Sequence, residues 1–367
     1  MIKTNKPHLI IKADSHPGMT GKQNEDRYRV ASFLTGPIEK TPSVLAVLCD
    51  GIGGHRAGEV AAEIGVSIIT ETIDAGSLRK PLKALDSAIR RANDVVYVAS
   101  QEDSGRAGMG ATCACAWVIG DRLYTANLGD SRVYLLREGN FFQLTTDHTW
   151  IQEALDAGII TNEEGSNHPN AHVIRRYLGS KKAPEPDFRL WVFEGEEDED
   201  AIKNQGLRLQ TGDVVMLCSD GLTDLASDEE IREVIQDNPL DNVPGMLINL
   251  ANSRGGHDNT TVVLMKVPPV RERVRKRRLL KGCLITLCIA SILAAAVFVS
   301  LRLWGAKLMD ADPSPSVEVT LSETEPKHSF EGTPTPEDIN KEMTETPLNE
   351  MIPQPSITAW PTNTQLP

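Results

Sequence analysis

Three aspartates of this chain follow or precede apolar runs. VLAVLC (44–49) leads into Asp50-Gly51, VVMLCS (214–219) leads into Asp220-Gly221, and Asp258-Asn259 stands directly before TTVVLM (260–265). A strand fixes its backbone and leaves the next side chain free to project from the sheet edge. Carboxylates separated by 170 and 38 residues of chain can converge in this way. Asp-Gly is also an ordinary turn pair, so any one of these pairs says little alone. Glu25 and Asp26, in QNEDRY, add two more carboxylates. Clustered carboxylates repel one another unless a cation neutralises them, and hard oxygen donors suit Mg²⁺ or Mn²⁺ better than zinc. The pattern points to a dinuclear metal centre.

The elements that must position these groups are legible from periodicity. Short apolar or alternating runs broken by Gly, Asp and Asn predict strands at 44–49, 112–119, 122–127, 132–137, 140–144, 213–219 and 260–267. Helical spacing appears at 58–73, 82–102, 149–157, 228–236 and 242–253. Turn-length gaps between 112 and 144 favour antiparallel meanders over βαβ units, so the expected class is α+β. The acidic stretch EGEEDEDA (194–201) reads most simply as a solvated loop.

Charge and composition set the organisation. The chain has 367 residues, 40% hydrophobic and 24% charged, which excludes wholesale disorder or a fibrous rod. Its net charge of −13 argues against nonspecific nucleic-acid binding. Residues 309–367 hold eleven acidic residues against Lys327 and Lys341, whereas 271–281 hold seven basic residues against Glu272 alone. Between them, GCLITLCIASILAAAVFVSL (282–301) is 20 residues without a charge. That length, at ~1.5 Å per residue, matches a bilayer's hydrocarbon core. We read it as one transmembrane helix. RERVRKRRLLK before it outweighs Arg302 and Lys307 after it, which places the body in the cytoplasm and the tail outside the cell. The tail, rich in Pro, Thr and Glu, cannot bury enough apolar area to offset its ordering entropy and is expected to be disordered. Six cysteines without a CxxC pair indicate neither a zinc site nor a disulfide framework.

The segments NED (24–26), DGIGGH (50–55), GMGAT (108–112), GDSR (129–132), LTTDHT (144–149), SDGLTD (219–224) and GGHDNTTVV (255–263) resemble, in order, the metal-dependent serine/threonine protein phosphatases, the PPM or type 2C family in its bacterial form. The resemblance covers residues 9–267. It implies a central sandwich of two antiparallel β-sheets flanked by α-helices, with the metals in a cleft at one end. A short N-terminal extension (1–8) would precede this domain. A basic juxtamembrane segment (268–281), the membrane helix (282–301) and the extracytoplasmic tail (302–367) would follow it.

Matched position by position, the resemblance implies that Asp50 bridges two ions of Mn²⁺ or Mg²⁺, that the Gly51 carbonyl binds one, and that Asp220 and Asp258 complete the first site. Glu25 matches a carboxylate acting through bound water. Asp130 with Asp220 matches a third ion in bacterial members, although Asp130 is equally readable as a turn aspartate. The implied reaction is in-line attack by metal-activated water on phosphoserine or phosphothreonine, with no phosphoenzyme. His55 is the nearest histidine for protonating the leaving alkoxide. Relatives carry an arginine where this chain has Gly21, and Lys22, Arg27 or Arg176 is the expected electrostatic substitute for it at the substrate phosphate. The expected partners are phosphorylated proteins and a membrane-associated Ser/Thr kinase whose action the enzyme reverses. Gly21 also keeps a rival reading open, a catalytically weak module that binds phosphoproteins. A dinucleotide-binding loop at DGIGGHRAGE is disfavoured, because GxGxxG fails at Arg56.

Overall fold

The computed structural model describes residues 1–34, 40–53, 57–76, 80–165, 168–170, 172–193 and 195–269, together with Val297 and Ser300. In chain order the strands and helices are β1 (Ile2–Lys3), β2 (Ile10–His16), β3 (Arg27–Leu34), β4 (Pro42–Cys49), β5 (Gly51–Ile52), α1 (Ala57–Ala75), α2 (Pro81–Glu102), β6 (Gly110–Ala111), β7 (Cys113–Ile119), β8 (Arg122–Leu128), β9 (Arg132–Arg137), β10 (Asn140–Gln143), α3 (Trp150–Asp156), α4 (Asn162–Gly165), α5 (Asp198–Lys203), β11 (Leu207–Arg208), β12 (Val214–Cys218), α6 (Asp220–Thr223), α7 (Asp228–Asp237), α8 (Val243–Ser253) and β13 (Thr260–Lys266).

Two antiparallel sheets face each other. One runs β1-β3-β4-β7-β8-β11 and the other β10-β9-β12-β13-β2. Alternation along the central strands divides the core into three layers. From β4, Val44, Ala46 and Leu48 meet Val215 and Leu217 of β12 and Val263 and Met265 of β13 between the sheets. The intervening Leu45, Val47 and Cys49 turn outward to Ala61, Val66 and Ile69 of α1 and Leu85 and Ile89 of α2. On the opposite side, Val214, Met216 and Cys218 of β12 pack with Ile231 and Ile235 of α7 and Leu247 and Ile248 of α8. Both faces of β4 and β12 are therefore covered, which is why these strands read as unbroken apolar runs. The four described cysteines, Cys49, Cys113, Cys115 and Cys218, are buried and free, in keeping with their apolar runs.

Three local differences from the sequence expectations have physical causes. The strands between 112 and 144 do not form one meander, because β7 and β8 lie in one sheet and β9 and β10 in the other. The crossing is made at Gly129, whose φ of +95° suits glycine. The acidic stretch is not wholly a loop, because Asp198, Glu199 and Asp200 form the first turn of α5. Negative side chains there complement the helix dipole. Strands β2 and β3 were not anticipated. Arg27 and Arg29 on β3 meet Glu59 and Glu63 of α1, so charges occupy positions where alternation would show apolar residues.

The chain divides into two compact units, Met1–Ala290 and Ser291–Pro367. The expected membrane span at 282–301 and the tail lie outside the described residues, except that Val297 and Ser300 are helical and exposed. Among the described residues no helix is long and apolar enough to cross a membrane.

Candidate active site

The carboxylates converge because the two sheets present neighbouring ends. Strand β4 delivers Asp50, whose N–H donates to Thr112 Oγ1 at 2.8 Å, while Thr112 N–H donates back to the Asp50 carbonyl at 2.8 Å. Strand β12 delivers Asp220 as the first residue of α6. Asp258 and Asn259 stand directly before β13. A cavity of about 600 Å³ is lined by Lys22, Glu25, Asp50, Gly51, Asp220 and Asp258, together with Gln23, Gly53, Ile174 and Asn259.

Asn259 ties three segments together. Its Oδ1 accepts from Glu25 N–H at 2.6 Å, and its Nδ2 donates to the carbonyls of Pro17 and Gln23, each at 3.1 Å. Asp26 is buried, 2% exposed, and does not line the cavity. Ser219 Oγ donates to its Oδ2 at 2.7 Å and accepts from Thr261 N–H at 2.9 Å. Asp26 thus links the NED segment to β12 and β13, a role its sequence context did not reveal.

The glycines after the aspartates serve close packing rather than turn geometry. A Cβ at Gly51 would lie 2.3 Å from the backbone of Gly58, and one at Gly221 would lie 2.0 Å from the Asn259 carbonyl oxygen. At Gly58 a Cβ would lie 2.8 Å from both Glu25 Oε2 and the Gly51 carbonyl oxygen. Those two oxygens therefore approach one point that only a glycine leaves open. Gly58 was missed in sequence because it reads as an ordinary helix residue.

Electrostatics show what this cluster needs. Burial, and then the neighbouring Asp26, Asp220 and Asp130, push the Asp50 carboxyl well above the usual carboxylate range. Asp220 is raised in the same way, by burial and then by Asp130 and Asp224. Burial lifts Asp26 to about 6, and burial with the Asp147 charge lifts Asp130 to about 6. Glu25 is raised by burial and by Asp258. Buried oxygens Oδ1 of Asp26, Asp130 and Asp220 have no hydrogen-bond partner. Lys22 Nζ lies 3.8 Å from Asp258 Oδ1, one cationic side chain in the cavity against its four carboxylates. Orphaned oxygens and an all-oxygen donor set fit hard divalent cations held by Asp50, the Gly51 carbonyl, Glu25, Asp220 and Asp258.

Asp130 is 6% exposed and lines a second cavity, of about 510 Å³, that shares Asp220 with the first. Its turn is held by His148, a residue to which the sequence assigned no role. His148 Nδ1 accepts from Gly129 N–H at 3.1 Å, so its Nε2–H is the donor to Asp187 Oδ2 at 3.2 Å. Arg189 closes the chain on Asp187. The Arg of GDSR is also structural, since Arg132 Nη2 donates to Asp147 at 2.7 Å and Nη1 donates to Tyr134 at 3.0 Å.

Of the basic candidates for phosphate, Lys22 lines the catalytic cavity and the other two do not. Arg27 is held by Glu59 and donates to the carbonyls of Asn24 and Asp26 at 3.0 and 2.7 Å. Arg176 is absent from the lining, and Ile174 of the same segment is present. His55 lies outside the described residues. Gly21 has a φ of +75° with nothing within 4 Å of a built Cβ.

Residues 22–154 match the profile of protein phosphatase 2C. The chain is 32% identical over 241 residues to the protein phosphatase PhpP of Streptococcus pneumoniae, covering 64% of this chain and 90% of that one. It belongs to the protein phosphatase 2C family. The serine/threonine protein phosphatase PstP of Mycobacterium tuberculosis is 37% identical over 259 residues, 71% of this chain and 45% of that protein. Among solved structures, the PstP catalytic domain in complex with two manganese ions is similar with a TM-score of 0.58 and 34% identity, over 71% of this chain and 99% of that one. The Streptococcus agalactiae serine/threonine phosphatase superposes with a TM-score of 0.60 and 33% identity, over 71% and 99% of the two chains. This phosphatase has the expected two-sheet fold, and its activity is metal-dependent hydrolysis of phosphoserine and phosphothreonine in proteins.

Proposed function

We propose that this phosphatase reverses a membrane-associated serine/threonine kinase from the cytoplasmic face, with Lys22 as the phosphate anchor. The catalytic part of this reading is carried by one observation, the convergence of Glu25, Asp50, Asp220 and Asp258 on one cavity with Lys22 at its wall. Two divalent cations, when bound, supply the Lewis acidity that activates water and neutralises phosphoryl oxygens. The chain's own residues do the rest. Asn259 holds the Glu25 segment against β13, so that its carboxylate cannot drift from the other three. The Asp26–Ser219–Thr261 hydrogen bonds lock the sheet end that carries Asp220. Lys22 attracts the phosphate dianion as a point charge, where an arginine would grip it as a fork. His55 gives a proton to the leaving seryl or threonyl oxygen. Asp130 and Asp220, whose Oδ1 atoms are unpartnered in one cavity, would hold a third ion.

The membrane part rests on the uncharged 20-residue run 282–301 behind seven basic residues. Anchoring raises the enzyme's effective concentration near a kinase in the same membrane. Equal phosphorylation of the kinase's substrates in cells carrying the full chain or a variant lacking 282–301 would remove that part.

The catalytic test is turnover of a phosphothreonine peptide by the full chain with Mn²⁺, with EDTA, and with Asp220→Asn. Mn²⁺-dependent turnover, lost in EDTA and lowered at least ~100-fold by Asp220→Asn, is expected. Two bound Mn²⁺ ions without turnover would favour the second reading, a phosphoprotein-binding module, which Gly21 supports.

A further inference from the structure

Behind the catalytic aspartate lies a group of three thiols that the reaction does not use. Cys49 ends β4 one residue before Asp50, and Cys113 opens β7 one residue after Thr112. Cys49, Cys113 and Cys115 all belong to the core layer under α1 and α2, and none has any exposed surface. The Cys113 thiol stands between the other two, in hydrogen-bond contact with both and 3.6 Å from Cys115 Sγ. Strands β4 and β7 pair Val47 with Cys115 and Leu48 with Ala114, so the same register brings Cys49 opposite Cys113 at the next position. Residues directly opposed in an antiparallel pair have Cα atoms about 4.5–5.5 Å apart, well inside the range of about 4.4–6.8 Å that a disulfide spans. Cys113 and Cys115, alternate residues of one strand, stand at the far edge of that range, about 6.4–6.8 Å apart.

We propose that Cys49 and Cys113 form a reversible disulfide that disables the metal centre when a peroxide meets the metal-free enzyme. One thiol attacks hydrogen peroxide, breaks its O–O bond and becomes a sulfenic acid as water leaves. The second thiol attacks that sulfur and expels the hydroxyl as a second water, which carries off the thiol proton. Two thiols and one peroxide thus give one disulfide and two waters, with sulfur oxidised and peroxide reduced. Bond formation draws the sulfurs to about 2.05 Å. The pull acts one peptide away, on Asp50 and Thr112. These two are themselves tied together, Asp50 N–H donating to Thr112 Oγ1 and Thr112 N–H to the Asp50 carbonyl, each at 2.8 Å. Oxidation therefore shifts Asp50 in the cavity that it lines with Glu25 and Asp220, and weakens Mn²⁺ binding. A buried thiol is inert until its surroundings open. Bound Mn²⁺ offsets the repulsion between these carboxylates and keeps this end of β4 closed, so the loaded enzyme resists. The inference rests on Asp50 being a ligand of the catalytic centre.

The experiment treats the full chain, freed of divalent ions or saturated with Mn²⁺, with hydrogen peroxide, blocks the remaining thiols and identifies linked peptides by mass spectrometry. A Cys49–Cys113 link is expected in the metal-free sample and absent, after the same exposure, from the Mn²⁺-saturated one. The linked protein should bind Mn²⁺ at least ~10-fold more weakly by calorimetry, and dithiothreitol should restore the affinity. Cys113→Ala, and Cys113→Ser as a variant closer in size, should form no link to Cys49 and keep their Mn²⁺ affinity through peroxide treatment. The proposal is overturned if no link forms in the metal-free enzyme, if Cys113 joins Cys115 instead, if the linked protein binds Mn²⁺ as the reduced one does, or if the variants lose affinity as the parent does. The link is read without metal or substrate, whereas Mn²⁺-dependent turnover of the untreated enzyme tests the dinuclear reading separately.

Discussion

At Gly58 a single methyl group would crowd two of the oxygens that the metal centre draws on. Its missing Cβ leaves 2.8 Å approaches to Glu25 Oε2 and the Gly51 carbonyl. Gly58→Ala should therefore weaken Mn²⁺ binding at least ~10-fold, read by calorimetry, and cost about 1–3 kcal/mol of stability through overpacking. Lys22 poses a different question, because its side chain is exposed on the cavity wall and its Nζ lies 3.8 Å from Asp258. Lys22→Ala should raise KM for a phosphopeptide roughly 10-fold while kcat changes little, the signature of lost uniform binding. Arg27→Ala should instead lower the thermal midpoint, since Arg27 is spent on Glu59 and two carbonyls. Gly21→Arg would place a side chain at φ +75°, a conformation that costs about 1–2 kcal/mol for residues other than glycine. The family's arginine cannot simply be restored there.

Elements matter here through their ends. The connection from β8 to β9 changes sheets, and its geometry hangs on His148, which reads Gly129 with one ring nitrogen and Asp187 with the other. Burial alone would raise the Asp187 carboxyl. Hydrogen bonds from His148 and Arg189 overcome that and hold it well below the usual carboxylate range. A depressed acid contributes stability above its unfolded value near 4, and that contribution is lost as pH falls toward its folded value. Asp187→Asn should flatten the acid limb of a urea-stability profile below about pH 4, with the pH 7 value also reduced. His148→Ala leaves Gly129 N–H and one Asp187 oxygen without their partner and should cost about 1–3 kcal/mol in the same assay. Either variant leaving the profile unchanged would refute this role.

For the whole molecule, carboxylates from several segments are forced together by a sandwich whose core has no other use for them. Removing divalent ions leaves Asp26, Asp50, Asp130 and Asp220 facing one another with little compensation. Mn²⁺ at 100 times its Kd should therefore stabilise the fold by about 2.7 kcal/mol, seen as a higher thermal midpoint that EDTA reverses. A midpoint indifferent to Mn²⁺ would mean that the ions do not bind the native cluster. The acidic body, basic collar and uncharged run make a second whole-chain expectation. The full chain should sediment with membranes, and deletion of 282–301 should release it.

Much of this protein was readable in one dimension because its signals are local. An aspartate at the end of an apolar run, a glycine after it, and periodicities of 2 and 3.6 are properties of a few neighbouring residues. They located Asp50, Asp220, Asp258 and the strands β4, β7, β12 and β13. What the sequence could not determine depends on approach between distant segments. Strand β3 hid because Arg27 and Arg29 are matched by Glu59 and Glu63 of α1, and β2 because Lys12, Asp14 and His16 interrupt its apolar run. Asp26 and His148 gained their roles only from burial under Ser219 and beside Asp187. Arg27 and Lys22, five residues apart and equally basic on paper, were separated by the fold: Glu59 of α1 takes the arginine, and the lysine stays on the cavity wall.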